Sequence, residues 1–171
     1  MKLGAPEIKR GAKLSECGRY RYALTRTWDA SAGEALFVML NPSTADGRVD
    51  DPTIRKCIGF ARDWGVGGIR VANLFALRAT DPKELHTAHR RGEDAIGPLN
   101  IEYVQALALG AERVILAWGA HARPYVDHVR RVVTSIKARP LWCLGTTGDG
   151  QPRHPLMLAY STKLETVKGV P

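Results

Sequence analysis

The sequence predicts an α/β fold: a three-layer α/β/α arrangement with a central four-stranded parallel sheet, preceded by an N-terminal antiparallel hairpin. Two observations predict it. Apolar runs of strand length recur at 35–40, 69–76, 113–118 and 141–145. A segment with helical spacing of apolar residues separates each run from the next. Buried strands that alternate with helices are typical of a parallel sheet covered on both faces.

The first element of this fold is predicted to be a half-exposed edge strand. Residues 19–28 alternate cationic residues with aromatic or apolar ones at a period of two. A turn at 29–33 leads into the buried strand at 35–40, which would complete the hairpin. Residues 1–18 are predicted to be a peripheral N-terminal arm, because they mix lysine and arginine with glycine and proline. Residues 19–171 are predicted to form a single domain.

The helix after the first buried strand has clear start signals. Asp51 can cap it, Pro52 suits its first position, and apolar residues then recur at helical spacing. A second start signal is the sequence Asp-Pro-Lys-Glu at 81–84, which has the pattern of a capping box with proline at the first helical position. Further helices are predicted at about 98–109, 122–136 and 155–163.

Composition narrows the classes of partner and compartment. Among 171 residues, Lys and Arg number 25 against 17 Asp and Glu, a net charge of +8. This balance favours a polyanion, and nucleic acid before a membrane. The three cysteines form no CxxC pair, which argues against a zinc site or an iron–sulfur cluster. With neither a secretory signal nor a membrane-spanning run in the sequence, we expect a soluble cytoplasmic protein.

Polar residues collect after each predicted strand. Because the carboxyl ends of parallel strands lie along one edge of a sheet, we expect them to converge on a single crevice. They are Asn41, Pro42, Ser43 and Asp46 after the first strand, Asn73, Arg78 and Thr80 within and after the second, Trp118, Gly119 and His121 at the third, and Asp149, Gln151, Arg153 and His154 after the fourth.

The side chains in this crevice favour recognition of a nucleobase and a phosphate. Asn41 and Asn73 each offer a donor and an acceptor, which suits the edge of a base. His154 beside Arg153 suits an anionic leaving group or a phosphate. The sequence has no Ser-His-acid spacing, no GxxxxGK[ST], and no GxGxxG after a strand, which disfavours acyl transfer, ATP hydrolysis and dinucleotide redox chemistry. We expect neither a cofactor nor a metal.

Five motifs carry a family resemblance. They are Leu40-Asn41-Pro42-Ser43-Thr44-Ala45-Asp46, Asp51-Pro52-Thr53, Asn73-Leu74-Phe75-Ala76, Ala117-Trp118-Gly119 and Gly150-Gln151-Pro152-Arg153-His154-Pro155-Leu156. Together they resemble an uncharacterised family of bacteria and phages, domain of unknown function 1643. The resemblance runs from about residue 20 to residue 164.

The order of four shorter motifs is also similar to the uracil-DNA glycosylase superfamily. That superfamily has a four-stranded parallel sheet flanked by helices, and places an Asp-Pro or Asn-Pro pair, an Asn, a Trp-Gly pair and a His-Pro or Asn-Pro pair at successive strand ends. Here Asn41-Pro42, Asn73, Trp118-Gly119 and His154-Pro155 occupy those places in order. The resemblance implies hydrolysis of the N-glycosidic bond of a damaged or modified base.

The same resemblance implies residue roles and a partner. Asn41 would position a water and His154 would stabilise the departing base, so these two would be catalytic. The partner would be nucleic acid, DNA before RNA, or a nucleotide. Residues that would bind the base or substrate are Pro42, Ser43, Asp46, Asn73, Phe75, Trp118 and Gly119, and residues that would bind phosphate are Arg153, Arg78 and Gln151.

Two other hypotheses remain open on the sequence. The chain would bind nucleic acid or a nucleotide without catalysis if it kept the fold and lost hydrolysis. Alternatively, it would process nucleotides with a metal held by Asp46, Asp50 and Asp51, since neighbouring carboxylates can bind Mg²⁺. The competing interpretation of these carboxylates is helix capping by Asp51 and solvation of the other two.

Overall fold

The computed structural model describes residues 7–43, 45–138 and 140–169, and within these ranges seven strands and four α-helices form a mixed α/β fold. The strands are β1 Lys9–Leu14, β2 Arg21–Thr27, β3 Glu34–Met39, β4 Gly68–Asn73, β5 Arg113–Leu116, β6 Leu141–Cys143 and β7 Glu165–Thr166. The helices are α1 Pro52–Asp63, α2 Pro82–Arg90, α3 Asn100–Leu109 and α4 Val126–Ser135, with 3-10 helices at Ala120–Tyr125 and Pro155–Met157.

All the strands belong to one sheet with the order β1-β2-β4-β3-β5-β6-β7. The pairs β4–β3, β3–β5 and β5–β6 are parallel, whereas β1, β2 and β7 pair antiparallel with their neighbours. The sheet is therefore wider than the predicted four strands and hairpin. In the described part of the chain, no helix has the length and apolar character needed to cross a membrane.

The N-terminal segment departs from the prediction in two ways. Residues 9–14 of the predicted arm form the edge strand β1, so they belong to the sheet. The predicted hairpin between β2 and the strand at 35–40 is wrong, because β2 lies between β1 and β4 and pairs with both. Residues 1–6 of the predicted arm lie outside the described residues.

The prediction that β2 is a half-exposed edge strand is wrong because a bulge breaks its alternation. Lys13 pairs with Ala23 but Leu14 pairs with Arg21, so Tyr22 is an extra residue in β2. A one-residue insertion sends the side chains beyond it to the opposite face of the sheet. Most of β2 is buried, and its arginines point into the protein instead of into solvent.

The helix start signals are confirmed. The Asp51 carboxylate accepts a hydrogen bond from the backbone N–H of Ile54 at 2.8 Å, and Pro52 is the first residue of α1. The capping box at the start of α2 is complete, since the Asp81 side chain accepts from the backbone of Glu84 and the Glu84 side chain accepts the backbone N–H of Asp81 at 3.2 Å. These local patterns are sufficient because capping satisfies backbone donors that lack a partner within the helix.

Two predicted helices are shorter than expected. The segment predicted as one helix at 122–136 begins as the 3-10 helix that contains Pro124, and α4 starts only at Val126. Proline lacks the N–H that a continuous α-helix would use at that position. The helix predicted at 155–163 ends at Met157, because the chain then turns and contributes β7, which pairs with β6.

The hydrophobic core lies on both faces of the sheet. Leu36 and Val38 of β3 belong to one cluster, which includes side chains of α2, α3 and α4. Phe37 and Met39, which alternate with them, belong to a second cluster with side chains of α1. Burial of both faces explains why β3 reads as a continuous apolar run.

Two buried arginines of β2 hold the loop that joins β3 to α1. The Arg26 side chain is fully buried, and its Nε lies 2.6 Å from a carboxylate oxygen of Asp50. An Arg26 Nη2 donor also reaches the backbone carbonyl of Asp46 at 2.6 Å. Arg21 donates from Nη1 to the carbonyl of Ala45. The path of the loop toward Asp51 therefore depends on these guanidinium groups.

We expect Asp50→Asn to lower the free energy of unfolding by about 3 kcal/mol, because it leaves the buried Arg26 charge without its carboxylate. Urea denaturation measures this change. Glu93→Gln is the matched control, since it breaks the exposed Arg19–Glu93 pair and should cost less than about 1 kcal/mol. Equal small losses in both variants would show that the Arg26–Asp50 pair does not hold the loop.

Candidate functional site

One cavity of about 530 Å³ lies at the carboxyl ends of the parallel strands. The loops that follow β3, β4, β5 and β6 all contribute to it, together with the start of α1 and one residue of β2. Its polar lining includes Arg21, Asn41, Ser43, Asp51, His121 and His154, and its apolar lining includes Met39, Leu40, Trp118 and Leu156. The volume is within the range of small-molecule sites.

The structure brings together seven of the residues expected at the crevice. The cavity lining includes Asn41, Ser43, Thr80, Trp118, Gly119, His121 and His154. Pro42, which follows Asn41, is buried and does not belong to the lining. Its carbonyl accepts the Ala79 N–H at 2.9 Å. The crevice expected from the topology is therefore present, with part of the predicted lining.

Asn41 ties the loop after β3 to the loop after β4. Its Nδ2 donates to the carbonyl of Ala79 at 2.8 Å and to that of Pro42 at 3.1 Å. Both bonds use the amide nitrogen, which fixes the orientation of the side chain. The Oδ1 atom is then the group through which Asn41 can accept a hydrogen bond from a water or a ligand.

Asp51 both caps α1, as the sequence predicts, and lines the cavity. One carboxylate oxygen accepts the Ile54 N–H, as a cap requires. Its charge also acts on two other cavity residues, because it opposes the lowering of the pKa of Arg21 and of His154. Asp51 is therefore a carboxylate with one oxygen held in place beside a cation and an imidazole.

His154 is held as a neutral imidazole with a defined tautomer. Its Nδ1 accepts the backbone N–H of Leu156 at 3.3 Å, which caps the following 3-10 helix. Burial lowers the pKa of His154 below its usual value of 6.5, with nearby Asp51 opposing this and His121 adding to it. Because Nδ1 accepts, the proton of the neutral ring lies on Nε2, which is then a donor.

Gly119 allows His154 to approach the end of β5. Its φ of 74° is in the left-handed region, and a Cβ at this position would lie 3.2 Å from the Cβ of His154. The Gly119 N–H donates to the carbonyl of Pro152 at 2.8 Å, which joins the two loops. A glycine is required here both by the backbone conformation and by the close approach.

Gln151, for which the resemblance implies a phosphate-binding role, lies outside the cavity lining. Its side chain is buried, and its Oε1 accepts the indole N–H of Trp118 at 2.9 Å. Gln151 therefore orients Trp118 at the cavity wall and does not line the cavity. The Gln151 side chain turns inward because the only polar atom of the buried indole needs a partner.

Asn73 and Phe75 also lie outside the cavity lining. Asn73 is 2% exposed at the end of β4, and its Nδ2 has no hydrogen-bond partner among the described residues. Phe75 is 1% exposed and packs against the rings of Tyr125 and His128. Neither side chain belongs to the cavity lining, so their positions do not support the base-binding roles implied for them.

Three further predicted site residues lie outside the cavity lining, and two of them bond to the backbone of the protein. Arg78 donates from Nη1 to a backbone carbonyl of the N-terminal segment at 3.2 Å. Arg153 is exposed and is not part of the cavity lining. The Asp46 carboxylate accepts the N–H groups of Arg48 and Val49, and these bonds lower its pKa. These positions do not support the phosphate and substrate roles implied for the three residues.

The three carboxylates of the metal hypothesis do not converge. Asp46 closes a turn, Asp50 pairs with Arg26, and Asp51 caps α1. In the ranges that the structure describes, no group of three or more His, Cys, Asp or Glu side chains is placed to hold a metal ion. The positions of these aspartates therefore do not support the hypothesis of a metal site built on all three.

Arg21 is a cavity residue that sequence reasoning missed. It is 3% exposed, and burial lowers its pKa to about 10, with Asp51 opposing the shift. Arg21 remains protonated at neutral pH with that pKa. The alternation of residues 19–28 indicated an exposed side chain, and no signal in the sequence reveals the bulge that turns it inward.

The fold and the cavity define a mixed α/β protein with a ligand-sized site at the carboxyl edge of its sheet. The chain belongs to the family described as Protein of unknown function (DUF1643), which it matches over residues 21–156. This confirms the first of the two resemblances. Neither a curated protein nor a solved structure matches the chain.

We expect His154 to titrate below pH 6.5 and to carry its neutral-state proton on Nε2. Nitrogen-15 NMR of the imidazole ring measures both properties. Because the folded-state pKa is below the unfolded one, stability should fall as pH drops below about 6.5, and this loss should be smaller in His154→Gln. A pKa at or above 6.5, or a proton on Nδ1, would contradict the assignment.

Proposed function

We propose that the chain hydrolyses the N-glycosidic bond of a nucleotide unit, either in nucleic acid, DNA before RNA, or as a free nucleotide. We also propose that the fold has the three layers of the uracil-DNA glycosylases, because the motifs at the strand ends of this chain follow the same order as in that superfamily. The observation that carries it is that Asp51 and His154 line one cavity, beside Asn41 and the indole of Trp118.

The chemistry of glycosidic cleavage fits this pair of side chains. As the bond between C1′ and the base nitrogen breaks, positive charge develops on the sugar and negative charge on the base. The Asp51 carboxylate would stabilise the sugar cation and accept a proton from the water that attacks C1′. The Nε2–H of the neutral His154 would hydrogen-bond to the departing base and stabilise its negative charge. The base would leave as an anion and then take up the proton that Asp51 removed from water, so that one water is consumed overall.

Asn41 and Trp118 have supporting roles in this proposal. The Asn41 amide nitrogen is held by two backbone carbonyls, so its Oδ1 would orient the attacking water. The buried Trp118, fixed through its indole N–H, would form an apolar wall against the base. Asn41 therefore keeps the implied role of positioning the water, and Asp51 is the group that takes the proton from it.

Charge on the outside of the protein supports a nucleic-acid partner. The net charge of +8 favours binding of a polyanion. Two exposed arginines, Arg123 and Arg153, lie close in sequence to the cavity residues His121 and His154. A strand that delivers a flipped base to the cavity would bring phosphates near these positions.

We expect Asp51→Asn to reduce base release by about a hundredfold or more, in line with the usual contribution of a general base. Asparagine caps a helix about as well as aspartate, so the variant removes the charge and retains the cap. Chromatography of free base measures the rate, with oligonucleotides that contain uracil, hypoxanthine or alkylated bases and with the matching free nucleotides as substrates.

Asp63→Asn is the matched control for this experiment. It makes the same change of charge at the exposed last residue of the same helix, and we expect its rate to equal that of the parent. Equal rates in the parent and Asp51→Asn would contradict the catalytic role of Asp51. If the parent binds these substrates and releases no base from any of them, the chain is a binding protein and the hydrolase proposal fails.

A further inference from the structure

We propose that Arg21 is the cation of a phosphate-binding subsite inside the cavity, and that it binds a terminal phosphate monoester such as that of a nucleoside 5′-monophosphate. The proposal rests on the proposed function for the nucleoside part of the ligand. It assigns the phosphate to a residue that lies within the cavity, instead of to Arg78, Gln151 or Arg153.

The first observation is that Arg21 is a buried cation without a close counter-ion. Among the described residues, no carboxylate oxygen lies within 4.0 Å of its guanidinium nitrogens. By contrast Arg26, which is also buried on the same strand, has a carboxylate oxygen of Asp50 at 2.6 Å from its Nε. A buried charge is normally paired, because the loss of its hydration is costly. The missing counter-ion of Arg21 can therefore be a ligand.

The second observation is an unused hydrogen-bonding edge of the guanidinium. Nη1 donates to the Ala45 carbonyl. Nε is buried and has no partner among the described residues, and no protein acceptor in that part of the chain is bonded to Nη2 either. Nε and Nη2 form the edge that binds the two oxygens of an oxyanion side by side. A phosphate on this edge would satisfy the orphaned donor and neutralise the charge.

The start of α1 adds positive potential to the same cavity. Pro52, Thr53 and Ile54 are its first three residues, and all of them line the cavity. The amino-terminal end of a helix carries partial positive charge and favours anions. The Asp51 carboxylate repels an anion, but it lies more than 4.0 Å from the Arg21 guanidinium. The two charges can thus serve the sugar and the phosphate of one nucleotide.

The burial of Arg21 inside the cavity favours a phosphate at the end of a ligand over one within a nucleic-acid strand. Phosphates along a bound strand stay near the protein surface, where exposed arginines such as Arg123 and Arg153 can reach them. A phosphate that contacts Arg21, which is 3% exposed, has to enter the cavity with the nucleoside. Two sources of this chemistry exist, a free nucleotide and the 5′-phosphorylated end of a strand.

Calorimetric titration of the whole chain tests the subsite. The first probes are the 5′-monophosphates of deoxyuridine and of the four common deoxynucleosides, and the affinity of each is compared with that of its unphosphorylated nucleoside. The second pair of probes is a short oligonucleotide with and without a 5′-phosphate. We expect the phosphate to tighten binding at least tenfold in the parent, and Arg21→Gln to abolish that difference. Arg19→Gln, which removes an exposed arginine paired with Glu93, should retain it.

A measurement on the unaltered protein covers the case in which Arg21→Gln does not fold. In nitrogen-15 NMR, the Arg21 Nε–H resonance should shift on addition of the nucleotide and not on addition of the nucleoside. Equal affinity of nucleotide and nucleoside for the parent, or an unchanged difference in Arg21→Gln, would overturn the subsite. A phosphate preference without base release would sink the hydrolase proposal alone, and base release without that preference would sink the subsite alone.

Discussion

The cavity depends on the ion pair between Arg26 and Asp50. The guanidinium is fully buried, so its charge has to be met by fixed partners, and these are a carboxylate and backbone carbonyls of the loop between β3 and α1. Asp50 directly precedes Asp51, and the pair therefore sets where α1 begins. Asp51 therefore lies at the cavity wall because the preceding residue, Asp50, neutralises the buried charge of Arg26 on β2.

Electrostatics gives two cavity residues, Arg21 and His154, different charges at neutral pH. Asp51 acts on the buried cation Arg21 and on the imidazole of His154, whose pKa is lowered chiefly by burial. A cation that keeps its proton and an imidazole that stays neutral can do different work at the same pH. Arg21 suits a standing negative charge such as a phosphate, whereas His154 suits a negative charge that appears only as a bond breaks. This division is the physical basis of the proposed reaction.

Local rules and topology account for the part of the structure that the sequence predicts. The caps at Asp51 and Asp81 depend on a few neighbouring residues, and the convergence of the strand-end loops follows from parallel pairing. Side-chain direction depends on contacts distant in sequence. Gln151 turns inward because the Trp118 indole needs an acceptor, and Arg21 turns inward because of a bulge that only the partner strand reveals. Strict alternation could not predict either outcome.

A crystal structure of the Asp51→Asn variant with deoxyuridine 5′-monophosphate tests the central claim most directly. We expect the nucleotide in the cavity, with its C1′ between residue 51 and His154, its base against Trp118 and its phosphate on Arg21. The variant retains the helix cap, so the cavity should keep its shape. A nucleotide bound only outside the cavity, or inside it with C1′ remote from residue 51 and His154, would contradict the account.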